Sequence, residues 1–226
     1  MNLSYLCEIM ILFRYIWGIL FWILAFGAFL ALVVILPDVS DNWRVYRWLF
    51  LGMIAYLAFM GISSAFFEQN LKFFRTFTHE LIHSIFTVLS FKRIRAFQAT
   101  SHRGGEIHVV GGGNMLIVLS PYCIPIFTIL LLLLQPLFQT QYLPYLQFVI
   151  GLTYLFHLHT NWLQIGFRQT DITKYPLLTS FGFIAMFQLV FLGIVLLSYQ
   201  DGWRAFFTFP SMMFEKLMLA KEVLQT

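Results

Sequence analysis

The chain has 226 residues, of which 60% are hydrophobic and only 11% are charged, and its mean hydropathy is +0.80. A soluble domain does not need this much apolar surface, so the composition predicts an integral, multi-pass protein of the lipid bilayer. The formal net charge of +4 is spread along the sequence, without the basic block typical of nucleic-acid binding. Cys7 and Cys123 lie far apart, in or beside apolar runs, and predict neither a disulfide nor a metal site.

Apolar segments long enough to cross a bilayer, about 20 residues each, recur along the chain. The first runs roughly from Ile11 to Leu36, where Pro37 interrupts it, and the second from Trp48 to Phe67. A third, from Phe73 to Phe91, has the pattern of a helix. Three more lie roughly at Met115 to Phe138, Leu143 to Ile165 and Leu177 to Tyr199. The sequence therefore predicts an all-α polytopic membrane protein with about six transmembrane helices.

Residues 92–113, between the third and fourth spans, have a different character. They are basic and alternate between apolar and polar side chains, which is typical of strands. Gly104 and Gly105 are a turn signal, so we expect a small β-hairpin with its turn at these glycines. Gly111, Gly112 and Gly113 then permit a sharp re-entry of the chain. An open strand edge cannot face lipid, which places the hairpin at the surface or inside a protein cavity.

The fourth span and the tail of the chain depart from straight transmembrane helices. Pro121, Pro125 and Pro136 must kink or break the fourth span. The tail, about residues 203–224, mixes apolar and charged side chains and predicts an amphipathic helix lying on the membrane. We expect a single membrane-embedded domain over residues 1–226, with its core at about residues 70–176.

The third span contains the sequence His79-Glu80-Leu81-Ile82-His83, which matches the metal-binding pattern H-E-x-x-H. Residues four apart share one face of a helix, so both imidazoles can point at one tetrahedral Zn²⁺ ion. Glu80 projects beside the pair, where it can take a proton from water. Titratable side chains at membrane depth are costly and usually mark function, which favours a metal site over a chance match.

A catalytic zinc ion normally has three protein ligands. We expect Asp171 to be the third, because the third and fifth spans leave the membrane on the same side and a carboxylate supplies charge and a hard oxygen. The alternative for Asp171 is a solvated loop aspartate that caps the sixth span. The other residues that could serve are His102, Glu106, His108, His157, His159 and Asp201.

The motif and the residues that come after it resemble the site-2 protease family of intramembrane zinc metalloproteases. That family has HExxH on one core span and, two spans later, an asparagine followed by a proline and an Asp-Gly that supplies the third ligand. By position, Asn161 matches the asparagine and Asp171 the ligand. The resemblance covers roughly residues 73–176 and includes an edge strand near the active site, where the hairpin falls. Gln164 stands in place of the proline and Ile172 in place of the glycine, which marks a divergent member.

The resemblance implies an enzyme that hydrolyses peptide bonds in or near transmembrane segments of membrane proteins. Zinc held by His79, His83 and Asp171 would lower the pKa of its bound water towards about 7. Glu80 would act as the general base and then pass the proton to the leaving amine. Asn161 would donate a hydrogen bond to the oxyanion or to the scissile peptide. The alternative for Asn161 is a polar contact between helices.

The substrate helix must unwind before its peptide bonds are accessible, and the hairpin edge could accept the unwound segment as an added strand. A basic element that touches anionic lipid headgroups is the alternative for the hairpin. His157, four residues before Asn161, is a residue that supports the ligands, a substitute ligand, or a histidine hydrogen-bonded inside the bundle. The sequence identifies no partner protein, although the amphipathic tail could serve one.

Two other classes of membrane protein remain open at this point. One is a catalytically inactive pseudoprotease or scaffold that retains a structural metal site. The other is a transporter or channel, which would use the intramembrane charges as an ion path but lacks detectable inverted repeats. The positive-inside rule places the active-site mouth in the cytoplasm, because basic residues are in excess on the side of the hairpin and Asp171. These are Arg44, Arg47, Lys92, Arg93, Arg95, Arg103, Arg168 and Lys174.

Overall fold

The computed structural model describes residues 3–100, 104–167 and 169–225, and within these ranges the chain forms nine α-helices and one two-stranded sheet. The long helices are α1 (Leu3–Asp41), α2 (Trp43–Phe66), α3 (Glu68–Leu89), α6 (Leu143–Gln164), α8 (Leu177–Asp201) and α9 (Ala205–Gln225). The shorter elements are β1 (Ile94–Thr100), β2 (Gly104–Val109), α4 (Met115–Leu119), α5 (Ile126–Leu134) and α7 (Thr170–Thr173). The predicted helical fold with one hairpin is therefore confirmed.

Three helical segments in the described ranges are long and apolar enough to cross a membrane, which is consistent with an integral membrane protein. They lie at Met10–Asp41, Trp43–Ser63 and Leu177–Gln225. A fourth arises if Met115–Tyr122 and Ile126–Leu137, bent by 83° at their break, count as one broken span. This bend falls at Pro121 and Pro125, as their missing amide hydrogens predict.

The predicted number of six spans is not confirmed. The helices α3 and α6 are each 22 residues long, but polar side chains interrupt both of them. The charges of Lys72, Arg75 and Glu80 lower the hydropathy of α3, and histidines and amides do the same in α6. The site motif itself is thus part of what makes these helices less apolar. Pro37 also does not end the first helix, which continues to Asp41.

The described chain comprises two compact units. The first contains α1, α7, α8 and α9, and its main contact joins α1 to α8. Small residues allow this close packing, because Gly18 of α1 lies against Thr179 and Gly182 lies against Trp22. Thr179 Oγ1 donates to the carbonyl oxygen of Arg14 at 2.7 Å, across the same contact. α9 packs on both helices, and a position of this tail helix on the membrane surface stays a prediction.

Within this unit, a polar cluster surrounds the carboxylate of Asp38. Its Oδ1 accepts from Asn42 Nδ2 at 2.8 Å, and its Oδ2 accepts from Gln200 Nε2 at 2.7 Å and from the Tyr46 hydroxyl at 3.3 Å. Asp38→Ala is expected to lower the free energy of unfolding by about 1–3 kcal/mol, since its donors lose a charged acceptor. Thermal unfolding in detergent measures this loss. Asp41→Ala, at an exposed position, is the control, and equal effects of the two changes would contradict the prediction.

The second unit contains α3, the hairpin, α4, α6 and most of α2 and α5. The backbones of α2 and α6 touch where each carries a glycine. A side chain at Gly52 would collide with the carbonyl oxygen of Phe148, and one at Gly151 with that of Leu49. Glycine is needed at both positions because only it lets two helix backbones approach this closely. The contact fixes α6 relative to α2 within this unit.

The hairpin packs on α3, with Phe97 of β1 edge-on to Phe77 of α3 at 6.1 Å between ring centroids. The strands are antiparallel, and Thr100 pairs with Gly104 while Ala99 pairs with Gly105. The predicted turn at Gly104 and Gly105 is therefore wrong, because both residues lie in β2. The connection falls at residues 101–103, outside the described residues. Gly105 instead allows the backbone of β2 to approach α3 closely.

Candidate metal centre

The histidines and the glutamate of the motif lie on the buried face of α3. Thr78, His79, Glu80, Ile82 and His83 are all buried, and the two histidines and the glutamate are each less than 10% exposed. The spacing of four residues places the imidazoles side by side, with 4.8 Å between ring centroids. Their Nε2 atoms are 3.2 Å apart. The predicted histidine pair thus forms as the helical period requires.

The outer nitrogen of His83 identifies its tautomer. Nδ1 lies 2.7 Å from the backbone carbonyl oxygen of Ile117. A carbonyl only accepts, so Nδ1 carries the hydrogen, and Nε2 of the neutral ring presents a lone pair. Ile117 is held in turn, because its amide donates to Oδ1 of Asn114, the residue that caps α4, at 2.8 Å. The cap of α4 therefore helps to orient a ring on α3.

His79 has the same arrangement with a different partner. Its Nδ1 lies 2.9 Å from Oε1 of Gln164, the last residue of α6. When Oε1 accepts, Nδ1 is the donor and Nε2 of His79 also presents a lone pair. Two lone pairs at 3.2 Å repel, so the pair needs either a metal cation beside both nitrogens or a proton on one nitrogen that the other accepts. Protein metal sites use this pattern, in which the outer histidine nitrogen donates and the inner one binds the metal.

Asp171, the predicted third ligand, lies in the first compact unit, whereas His79 and His83 lie in the second. Its role as a ligand of the same ion as the histidines stays a prediction. Asp171 is half-buried in the one-turn helix α7, whose neighbouring Ile172 is fully buried. The carbonyl oxygen of Ile172 accepts a hydrogen bond from the Ser180 hydroxyl of α8 at 2.8 Å. The backbone at Ile172 thus ties the turn that carries Asp171 to α8.

The glutamate of the motif lies directly beneath the hairpin. A Cβ atom added at Gly105 would lie 2.5 Å from Oε1 and 2.7 Å from Cδ of Glu80. Only glycine fits there while the carboxylate keeps this position. The hairpin backbone therefore limits where the Glu80 carboxylate can move.

Asn161 is buried, and both hydrogens of its amide group are engaged. Nδ2 donates to the carbonyl oxygen of Tyr122 at 2.9 Å and lies 3.0 Å from His157 Nε2, which accepts. Its Oδ1 is buried and has no hydrogen-bond partner among the residues that the structure describes. The atom that remains for a substrate is an acceptor, whereas an oxyanion needs a donor. These contacts favour a role for Asn161 in holding α6 in place.

The other candidate ligands that the structure describes have surroundings of their own. His157 bonds to Asn161, and His159 Nδ1 lies 2.8 Å from the Tyr56 hydroxyl. His108 and Glu106 form an exposed pair at 3.2 Å on β2. Asp201 is the last residue of α8. His102, Arg103 and Arg168 lie outside the described residues.

No family model, curated protein or solved structure matches this chain. The resemblance to the site-2 protease family therefore depends on the motif and its spacing alone, and family membership stays a prediction. Sequence reasoning did not find the partners of the histidines, Gln164 and Ile117, nor the packing of Gly105 on Glu80. The one available signal was Gln164, a polar residue where the resemblance expects a proline.

Proposed function

We propose that the protein is an intramembrane zinc metalloprotease that hydrolyses peptide bonds in or near transmembrane segments. The observation that supports this most is the buried pair of Nε2 atoms at 3.2 Å, with both outer nitrogens bonded and a glutamate next to the first histidine. Two imidazoles and a carboxylate are a common protein ligand set of catalytic zinc, which keeps a fourth position open. A divalent cation would also balance the charges of Glu80 and Asp171 in a water-poor environment.

Each residue has a distinct task in the proposed reaction. His79, His83 and Asp171 would hold the ion, which when bound polarises a carbonyl and lowers the pKa of a coordinated water to about 7. Glu80 takes a proton as the water oxygen bonds to the carbonyl carbon of the scissile peptide. The carbon–nitrogen bond then breaks, and Glu80 returns that proton to the departing amine nitrogen. Asn161 holds the end of α6 rather than touching the reacting atoms.

One observation favours a second candidate, a membrane scaffold with a structural metal site. The hairpin lies directly over Glu80, so that the backbone at Gly105 covers part of the carboxylate. In a protease, the hairpin would have to leave room for a substrate carbonyl beside Glu80. In a scaffold, it would not.

Glu80→Gln distinguishes the two functions. The amide is isosteric but cannot accept the proton, so we expect zinc content near one per chain and a loss of cleavage of about 10²–10⁴-fold. Zinc is measured by mass spectrometry of the purified protein. Cleavage is measured on single-span peptides, weakened by Gly and Pro and reconstituted in phosphatidylcholine vesicles.

Gln141→Glu is the control. It is the reverse change at an exposed position, so it shows whether purifying and reconstituting a variant protein alters cleavage by itself. Wild-type protein that binds zinc but cuts none of the peptides would support the scaffold. Equal cleavage by wild type and Glu80→Gln would exclude Glu80 as the base.

A further inference from the structure

We propose that Gln164 is a positioning residue of the metal centre, which sets the tautomer of His79 through the bond between Oε1 and Nδ1. This rests on the metal site of the proposed function and deepens it, since it names what keeps one ligand ready. The bond is 2.9 Å long and joins the end of α6 to the middle of α3. It directs the Nε2 lone pair of His79 towards the point shared with His83.

The end of α6 is anchored so that Gln164 can hold this position. One turn earlier, the side-chain amide of Asn161 donates to the carbonyl oxygen of Tyr122. The backbone carbonyl oxygen of Asn161 accepts from the backbone amide of Ile165 at 2.7 Å. The Tyr122 ring packs edge-on against the His79 ring, with 5.2 Å between centroids. The same short turn at Ser120–Tyr122 thus fixes the end of α6 and one side of the His79 ring. The His79 ring therefore contacts both Gln164 and Tyr122, and Asn161 links the segments that carry these two residues.

The two ligand histidines differ in what holds them. His83 donates to a backbone carbonyl, and no substitution at Ile117 removes that acceptor. His79 depends on a side chain, so its orientation is open to mutation. Loss of such an outer partner typically costs about 10–100-fold in metal affinity. Gln164 is therefore where a change outside the ligands weakens the site most directly.

The chemistry of an amide also differs from that of a carboxylate. A glutamate at position 164 would keep the acceptor and add negative charge, which raises the basicity of the imidazole. A methionine of similar length would keep the packing and remove the acceptor. Gln164→Met and Gln164→Glu thus separate the hydrogen bond from the shape of the side chain, and only Gln164→Met is expected to weaken zinc binding.

Zinc affinity of the full-length protein in detergent is measured by competition with a chromophoric chelator. We expect Gln164→Met to raise the zinc Kd by about 10–100-fold and Gln164→Glu to leave it unchanged or lower it. The visible absorption of the Co²⁺-substituted protein should change in Gln164→Met, because the His79 ligand is less well oriented. Gln141→Met, the same change at an exposed glutamine, is the control, and circular dichroism checks folding.

A zinc Kd of Gln164→Met within about twofold of the Gln141→Met value would overturn the inference, as would equal losses in the methionine and glutamate variants. If Gln164→Met does not fold, a Kd in Gln164→Glu at least as low as in wild type supports the inference, and a clear increase overturns it. Wild-type protein without zinc affinity would overturn both the centre and this inference. Zinc binding that depends on Gln164 without any peptide cleavage would overturn the protease alone.

Discussion

Replacing His83 with alanine is expected to raise the zinc Kd by more than about 100-fold, beyond the range seen for outer partners of a metal ligand. The change removes one of the three proposed ligands and leaves His79 as the only imidazole among them. The helix itself should persist, because alanine is the best helix former. Zinc content after gel filtration and chelator competition measure the effect.

The matched control is His108→Ala, at a histidine that could have been a ligand from the sequence alone. It is exposed on β2 and paired with Glu106, so its loss should leave zinc content at the wild-type value. Equal losses in the two variants would show that zinc binds elsewhere on the protein. The double change His79→Ala and His83→Ala should abolish stoichiometric binding.

Gly105→Ala is expected to abolish most of the cleavage while zinc remains bound. The added methyl group would lie 2.5 Å from Oε1 of Glu80, far inside contact distance. A flexible glutamate side chain moves more easily than a paired strand, so the carboxylate is displaced and the hairpin stays. We expect cleavage to fall by about 10²-fold or more, as for loss of a general base.

Gly166→Ala is the control for this change, because a Cβ atom there meets only open space. Zinc content is measured in parallel and should be the same in wild type and in both variants. The combination of Gly105→Ala with Glu80→Gln should cleave no more slowly than Glu80→Gln alone, since both act on one group. A fully additive double variant would mean that Gly105 acts through some other residue.

The parts of the site that one helix determines could be predicted from the sequence. The spacing of His79 and His83 fixes a shared face because the helical period is local and needs no knowledge of the fold. The hairpin could also be located, since strand alternation is local as well. Its turn could not, because a pair of glycines marks either a turn or a close approach, and only Glu80 on α3 decides between them.

The partners of the two rings could not be predicted, for a different reason. Gln164 is 85 residues from His79 and Ile117 is 34 residues from His83, and nothing local connects them. The number of membrane spans could not be predicted from the sequence either, because α3 and α6 are long and partly apolar but carry the polar groups of the site. Their apolar character alone does not distinguish a bilayer-crossing helix from one shielded by protein.

The bond from His83 to the Ile117 carbonyl has a consequence for how such a centre can diverge. A main-chain oxygen is present whatever residue occupies position 117. That residue can therefore change without loss of the hydrogen bond, provided that Asn114 still caps α4. Position 164 is more restricted, because only a side chain with an acceptor of the right length can replace Gln164. A search for related centres should therefore match the path of the backbone near α4 and a side-chain acceptor at position 164, whatever residue stands at position 117.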